Sequence, residues 1–489
     1  MSVQKREAGE RSWQTILYYL NSLIVIALIS GGWYFPVVEP LTPLGMRIIG
    51  IFTGVIYAWS TVGILWPALL GLIALGFTGY TTVPEAFQMG YGGDAFLFVF
   101  FMLIFAAMVD KAGVTEVIAN WVVSRRFAGG RPWMLTLLIL TAAYVVAALV
   151  SVTPAIIICW GILYKLCQVF GFTNKDHYPK LMIVGIVFAG LMGHAALPYK
   201  MMAVILTGVF TKQTGLQIDF MSFTILAAAI GYSAVLGYVG LCRFVFRPDV
   251  TPIAQSKFVY ANTFKFNTYQ KQVITLLGVL IILLFLPGIL PGDLGLTRFL
   301  KKLGNTGIVV LLLAFVAFLR KKDSAHFVNF VALICEGIPW PSLFLLGTAL
   351  PLAEAMTSEE TGVKEVFMQL FSPVLNAHLS PELFVFLFIG ISVVMTVFMG
   401  DVIVGLILVP LACTYAPVVG VSPGMLTVAL CVSCLMGIVF PASSPLAALM
   451  HGNSEWVCSR EIYQYTVPLA IVSPVIGALV CLTLGPLLF

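Results

Sequence analysis

The feature that most constrains this chain is a series of long, uncharged apolar runs that recurs from Thr15 to the C-terminus. Of its 489 residues, 60% are apolar and only 10% are charged, whereas an average soluble domain is about a quarter charged. So much apolar surface cannot be buried in one globule in water, and a membrane-spanning helix needs roughly 20 apolar residues. The composition therefore predicts an all-α polytopic protein that is embedded in a lipid bilayer.

The remaining composition excludes several classes of protein. A net charge of +5 is too small to indicate a nucleic-acid partner. The nine cysteines lie mostly within apolar runs and are interpreted as small core residues, not as disulfides or metal ligands. The chain has no HExxH motif, no Walker-type glycine loop and no room for a soluble catalytic domain. We therefore predict that it is not an enzyme and needs no cofactor beyond Na+ or H+ as a coupling ion.

Uncharged runs bounded by charges or by Pro/Gly clusters mark the straight spans. They lie near residues 15–35, 44–60, 61–79, 94–110, 221–242, 272–290, 306–319, 339–354 and 466–488.

Two other stretches in the first half of the chain cannot be straight spans. The 33 uncharged residues between Arg131 and Lys165 are too many for one span and too few for two. They predict a re-entrant hairpin with its tip at 150–154, where Pro154 interrupts the helical hydrogen bonds. The run from Leu181 to Thr211 would form a helix of about 46 Å, longer than the membrane core. It therefore predicts a broken helix with its break near 196–203.

The same pair of features returns in the second half, which makes the chain a tandem repeat. A second hairpin tip is predicted at 399–403 and a second broken helix near 440–446. The segment Gly113–Val117 matches Gly362–Val366 at an offset of 249, and Ser151 falls on Gly400 at that offset. Together with the straight spans, this gives about 11 transmembrane helices plus two re-entrant hairpins.

Charge indicates the orientation of these elements. With the N-terminus in the cytoplasm, 19 of the 26 Lys and Arg residues fall inside, six fall outside and Lys200 lies in the membrane. This bias agrees with the positive-inside rule and makes the two repeats inverted, with the C-terminus outside. We expect the plasma (inner) membrane as the location.

The predicted organisation along the chain has five parts. They are a cytoplasmic tail (1–14), N-terminal scaffold helices (15–79), a first inverted repeat (80–250), a cytoplasmic loop with scaffold helices (251–323) and a second inverted repeat (324–489). Inverted repeats with broken helices meeting at the midplane form one site that opens alternately to either side of a membrane. A transporter is therefore predicted, and the continuous pore of a channel fits this arrangement less well.

These residues resemble the divalent anion:sodium symporters, which carry dicarboxylates and belong to the ion transporter superfamily. That family has a Ser-Asn-Thr tip in each hairpin, and here Ser151-Val152-Thr153 and Gly400-Asp401-Val402 occupy the two tips. The loop from Phe440 to Gly452 matches the family's second broken-helix loop in length and frame. The resemblance implies a homodimer with scaffold helices and a moving transport unit in each protomer, a small organic anion as substrate, and enclosed sodium ions.

The two central positions depart from the family pattern, since Val152 and Asp401 replace the tip asparagines. Lys200 stands where the family has a small polar residue beside the first sodium site. A buried ammonium group or carboxylate is costly unless it is paired or functional. Asp401 could hold a proton, hold a cation or pair with Lys200, or it could simply cap the hairpin tip.

The predicted site is formed by residues at the two hairpin tips and at the breaks of the two broken helices. The candidates for substrate binding are Ser151, Thr153, Lys200, Asp401, Ser443 and Ser444, and those for ion coupling are Asp401, Gly400, Ser151 and His194. A satisfied structural role is favoured for His194 and for His451, although His194 is the better candidate for a second titrating group. Two hypotheses stay open: an ion-coupled carboxylate or dicarboxylate transporter, or a sodium-independent proton-coupled transporter, uniporter or exchanger in which Lys200 and Asp401 replace the sodium sites.

Overall fold

The computed structural model describes residues 2–37, 39–114, 116–118, 130–255, 267–290, 294–319, 328–363, 365–366, 369, 379–398, 400–441 and 444–489. Every regular element in these ranges is helical, which confirms the predicted all-α class. The helices of the first third of the chain are α1 (Ser2–Gly31), α2 (Pro43–Thr61), α3 (Leu65–Gly76), α4 (Val83–Tyr91), α5 (Asp94–Lys111), α6 (Pro132–Leu149) and α7 (Val152–Phe170).

The middle of the chain contains both long and short helices. They are α8 (His177–Ala195), α9 (Met201–Thr214), α10 (Phe220–Gly240), α11 (Thr251–Gln255), α12 (Thr268–Ile289), α13 (Gly295–Phe318), α14 (Phe330–Gly337) and α15 (Trp340–Thr357). A π-helical segment, Leu241–Phe246, continues α10.

The described residues of the last part of the chain include five further α-helices. They are α16 (Pro381–Phe398), α17 (Asp401–Tyr415), α18 (Pro423–Ser433), α19 (Pro445–His451) and α20 (Ser459–Leu488). Several of the chain's helices begin at a proline, which fits the first helical turn because its missing N–H would be unpaired there anyway. At α18 and α19 the preceding serine also caps the helix.

Eight of the described helices are long and apolar enough to cross a membrane. A ninth span comes from α4 and α5 taken together, which bend by 48° at their junction. The straight span that the sequence predicted at 94–110 corresponds to α5. The bend lies before it, at Gly92, the residue that follows α4. The described residues also include shorter apolar helical segments, among them Pro381–Val397 in α16 and Pro423–Ser433, which is α18.

The chain divides into two compact units. The first contains Met1–Leu97, Thr211–Gly215 and Pro339–Ala377. In it α1 packs along α2, and α15 packs against α3 and α4. The Thr348 hydroxyl donates to the Ala68 carbonyl at 3.0 Å, and Lys212 and Glu354 form an ion pair at 3.0 Å.

The second unit contains Phe98–Phe210, Leu216–Ile338 and His378–Phe489, and it holds both hairpins and both breaks. Its central helix is α8, in which almost every residue is buried. A helix that is apolar on all sides is stable only where other helices surround it, and α6, α7, α10 and α20 all pack against α8. The Tyr238 hydroxyl of α10 donates to the Leu181 carbonyl of α8 at 2.6 Å.

The two hairpins open towards opposite ends of α20. Near the end of α7, Tyr164 accepts a hydrogen bond from Asn453 and stacks on Trp456, just before α20 begins. At the other end, a Cβ on Gly424, at the start of α18, would lie 3.1 Å from the ring of Phe489, the last residue after α20. Because α17 leads directly into α18, the second hairpin opens at that end.

Candidate functional site

The first hairpin turns between Leu149 and Val152. Ser151 is the N-cap residue of α7, in an extended backbone conformation, but its hydroxyl makes no capping hydrogen bond. Pro154 in the first turn of α7 has no N–H. Thr153 lies beside it and is exposed. The start of α7 therefore presents free backbone N–H groups and two hydroxyl groups, which together can bind an anion.

The break between α8 and α9 packs on the other side of the same tip. The Tyr199 hydroxyl donates to the Ala148 carbonyl at 3.1 Å, and the Lys200 ammonium donates to the Val150 carbonyl at 2.9 Å. These carbonyls are the unpaired groups at the C-terminal, partially negative end of α6. Lys200 is only 6% exposed, so the break brings a buried cation to the hairpin tip.

His194 lies in the last turn of α8 and faces the same tip. It shares a helix face with Gly190, one turn earlier, where a Cβ would lie 3.2 Å from Ile156 and 3.4 Å from Val152 of α7. Its Nδ1 atom is buried and has no hydrogen-bond partner. Its ring is also near enough to Lys200 for their charges to interact. Buried polar atoms in proteins normally have a hydrogen-bond partner, and a bound ligand can supply the partner that this ring nitrogen lacks.

The second hairpin places Asp401 at the first position of α17. Gly400 is the N-cap residue, and the Val402 N–H donates to Asp401 Oδ1 at 2.9 Å. The carboxylate thus accepts one backbone N–H, but α17 has no side-chain N-cap hydrogen bond, because its N-cap residue is Gly400. Cys434 is buried near Asp401. It could not be identified from the sequence, because nothing in an apolar run marks which residue will face an acid.

Lys200 and Asp401 begin two neighbouring helices. A Cβ on Gly405 of α17 would lie 2.5 Å from the Leu206 side chain of α9, so the helices touch along their sides. Further along α9, Phe210 lies 3.7 Å from a Cβ on Gly424, which follows the end of α17. The two helices therefore run in the same direction, with their starts side by side. Lys200 and Asp401 are nevertheless not within ion-pair distance of each other.

The second break is longer than the first. The sequence predicted it near 440–446, but α18 already ends at Ser433. Turns continue the chain to Ile438, and Ser444 then caps α19 by accepting from the Ala447 N–H at 3.1 Å. Ser443, a predicted site residue, lies outside the described residues. Ser444 is thus positioned at the break, with its hydroxyl already used as a helix cap.

Matching glycines fit each broken helix against its hairpin. A Cβ on Gly193 would overlap the backbone carbonyl of Tyr144 in α6. A Cβ on Gly437, which is Gly193 plus the offset of 244, would overlap Thr396 in α16. In both repeats, a missing side chain lets the backbone approach the first arm of the hairpin closely, at the end of α8 in the first repeat and within the break in the second.

The described residues contain no group of three or more His, Cys, Asp or Glu side chains that could hold a metal ion. The structure brings together Ser151, Thr153, His194 and Lys200 around the first tip. It places Gly400 and Asp401 at the neighbouring start of α17, and Ser444 at the second break. The arrangement combines one ammonium group, that of Lys200, with several helix starts and one carboxylate, that of Asp401.

Most of the chain matches the profile of one known protein family. The profile of the family described as citrate transporter (CitMHS) matches residues 54–433, more than three quarters of the chain. A search of curated protein sequences found no significant match.

Solved transporter structures share the fold. The Alcanivorax borkumensis YdaH transporter superposes with a TM-score of 0.57 at 13% identity, covering 96% of this chain and 98% of that chain. Neisseria gonorrhoeae MtrF, described with a class of antimetabolite efflux pumps, superposes with a TM-score of 0.60 at 13% identity, covering 96% and 94%. At this identity the likeness shows the fold alone.

Proposed function

The chain belongs to the citrate transporter family, within the ion transporter superfamily, and from that premise we propose that it is a secondary active transporter of a small organic anion. The substrate class is a carboxylate or dicarboxylate, moved by alternating access and coupled to an ion gradient. The observation that carries this proposal is the buried Lys200 ammonium at the first hairpin tip.

Three features around Lys200 favour an anion. The starts of α7, α9 and α17 lie around this region, and helix N-termini carry a partial positive charge. The ammonium group has one hydrogen-bond partner, Val150, among the described residues, and it can donate two further bonds. The buried Nδ1 of His194 has none. A carboxylate bound between these groups would satisfy them at once, with the His194 ring in the tautomer that donates from Nδ1.

The opposed hairpins support alternating access. The hairpin formed by α6 and α7 and the hairpin formed by α16 and α17 open at opposite ends of α20, and their turns lead to one region. A site formed from two such turns can be exposed to one side of the membrane at a time.

Asp401 is the proposed coupling residue. An ionised carboxylate at the start of α17 repels an anionic substrate unless a proton or a cation neutralises it. Binding of the coupling ion to Asp401 would therefore strengthen binding of the anion, and this mutual dependence is what symport requires.

A second candidate function is favoured by one specific contact. The Lys200 ammonium occupies the carbonyl end of α6 at 2.9 Å from Val150 O, and a cation at such a helix end would otherwise be a metal ion. A fixed ammonium there makes sodium unnecessary. The protein would then be a sodium-independent proton-coupled transporter, a uniporter or an exchanger.

The proposal extends to the oligomeric state of the protein, its membrane and its orientation. We infer a homodimer in the plasma (inner) membrane, with the N-terminus cytoplasmic and the C-terminus outside. The chain performs no chemical step on its substrate and has no nucleic-acid partner.

The deciding experiment is uptake of radiolabelled citrate, succinate and acetate into proteoliposomes, with sodium and proton gradients imposed separately. Saturable uptake of a carboxylate supports the transporter, whereas non-saturating flux would indicate a channel. Stimulation by sodium favours the first hypothesis, and stimulation by protons alone, or by neither gradient, favours the second.

Two matched variants control this experiment. Lys212 lies on the same helix, α9, but its ammonium is half-exposed and pairs with Glu354. K212M should therefore leave uptake unchanged, whereas K200M should lower it strongly. Glu382 lies in the exposed first turn of α16, so E382Q serves in the same way beside D401N.

A further inference from the structure

The described backbone of the second break, residues 434–441, has few helical hydrogen bonds to hold it. It must be held by contacts from elsewhere. Val439 lies in this stretch and is 6% exposed. Its carbonyl lies outside any helix and needs a donor from another part of the chain, because an unpaired backbone carbonyl that is shielded from water is costly.

His451 supplies that donor from the far side of the break. It is the last residue of α19, and its Nε2 atom lies 3.1 Å from the Val439 oxygen. Because a carbonyl only accepts hydrogen bonds, Nε2 must carry the hydrogen. The other ring nitrogen, Nδ1, lies 3.1 Å from the hydroxyl of Ser459, which can donate to it. A neutral His451 thus has both nitrogens satisfied and its tautomer determined.

An aromatic contact reinforces this bond. The ring of Tyr463 in α20 packs 5.4 Å from the His451 ring and 5.6 Å from the Phe440 ring. Phe440 is the residue directly after Val439. His451, Tyr463 and Phe440 therefore form one cluster, the break clamp. It joins the backbone of the break at Phe440 to α19 and α20.

We propose that His451 is a positioning residue that fixes the conformation of the second break and thereby sets the affinity of the transport site. The inference rests on the proposed function, since it assigns the break to substrate binding. The His451 ring joins Val439 and Phe440 to α19, the helix that Ser444 caps. It does not itself contact the substrate.

Two amide variants of the full-length protein separate the two ring nitrogens. In H451Q, the glutamine amide nitrogen can reach the position of Nε2 and can still donate to the Val439 carbonyl. In H451N, the shorter side chain can reach only the position of Nδ1, so the bond to Val439 is lost. S459A removes the partner of Nδ1 and leaves the Nε2 bond in place.

The first measurement is hydrogen–deuterium exchange of the purified protein, which does not depend on transport. We expect H451N to exchange faster than wild type in peptides that include Met436–Pro441, and H451Q and S459A to exchange like wild type. Equal exchange in H451N and wild type overturns the proposal. So does equally fast exchange in all three variants, because the Val439 bond would then not be the determinant.

The second measurement is the KM and maximal rate of uptake in proteoliposomes, with the panel carboxylate that wild type transports fastest. We expect H451N to raise KM roughly three- to tenfold, the range of one net hydrogen bond, with a smaller change in maximal rate. H451Q should restore the wild-type KM. An unchanged KM in H451N overturns the link to affinity. Absence of any uptake by wild type refutes the proposed function instead, and the exchange experiment still decides the role of His451.

Discussion

The ammonium group of Lys200 donates a hydrogen bond of 2.9 Å to the carbonyl of Val150, the residue that directly follows α6. One residue earlier in the chain, Tyr199 donates to Ala148. The break of the first broken helix is thus attached to the tip of the first hairpin by two consecutive side chains. The charge of Lys200 lies where the carbonyls of α6 are most negative and where α7, with its free N–H groups, begins.

The first prediction concerns this charge. K200M keeps the length and the apolar stem of the side chain but removes the ammonium group. We expect carboxylate uptake to fall at least roughly tenfold, in line with the loss of one charge-assisted hydrogen bond. The thermal unfolding midpoint should stay the same or rise, because a buried charge carries a desolvation cost. Uptake by K200M at the wild-type rate would show that the substrate does not use this charge.

The second prediction concerns Asp401. D401N keeps an oxygen that accepts the Val402 N–H, so the start of α17 should remain intact and the unfolding midpoint should change little. The variant cannot exchange a proton at this position. We therefore expect uptake driven by a proton gradient to fall to the rate of passive exchange, while counterflow at equal pH persists. Proton-driven uptake that survives in D401N would assign coupling to another residue.

The third prediction concerns the two matching glycines. G193A and G437A should each destabilise the protein by about 1–3 kcal/mol, because the added methyl group meets backbone that cannot move away. The control is G161A in α7, where a Cβ has no heavy atom within 4 Å and alanine is the better helix former. Thermal unfolding of the three variants in detergent measures the contrast. A midpoint for G193A as high as that for G161A would contradict the close approach of α8 to α6.

The sequence was sufficient for those parts of the fold that depend on local chemistry. Long apolar runs predict helices, and Pro154 within an uncharged run predicts the turn between Leu149 and Val152. The arms of that hairpin are longer than the half-length helices expected, since each could span a membrane alone. The repeat offsets identify Gly193 and Gly437 as equivalent, and the structure gives them equivalent packing.

Features that depend on distant partners could not be predicted in this way. The sequence gives no sign that Tyr199 and Lys200 bind the end of α6, or that His451 binds Val439 across the break. It also gives no reason for α18 to end at Ser433, since the residues that follow are as apolar as those before.

The fourth prediction concerns a polar contact found in the second repeat. The hydroxyl oxygens of Ser392 in α16 and Ser433 in α18 lie 2.6 Å apart, and both residues are fully buried. By the repeat offsets their equivalents in the first repeat are Ala143 and Ala189. We expect S433A to cost about 1 kcal/mol of stability, and S392A/S433A to cost little more, because the two hydroxyls share one bond. A double-mutant cycle on unfolding measures the coupling, and purely additive single effects would show that none exists.

The fifth prediction compares two ion pairs that differ in burial. Lys180 in α8 and Glu461 in α20 are 2.6 Å apart, with side chains 9% and 25% exposed, whereas Lys111 and Glu336 are 2.9 Å apart with 55% and 70% exposed. K180M leaves a largely buried carboxylate without its cation, so we expect a loss of about 2–4 kcal/mol. K111M should have no measurable effect, because water screens an exposed pair. The double variant K180M/E461M should recover most of the loss, since two apolar side chains have no charge to desolvate. Chemical unfolding of the four proteins measures these differences, and equal stability of K180M and K111M would show that the Lys180–Glu461 pair does not hold α8 to α20.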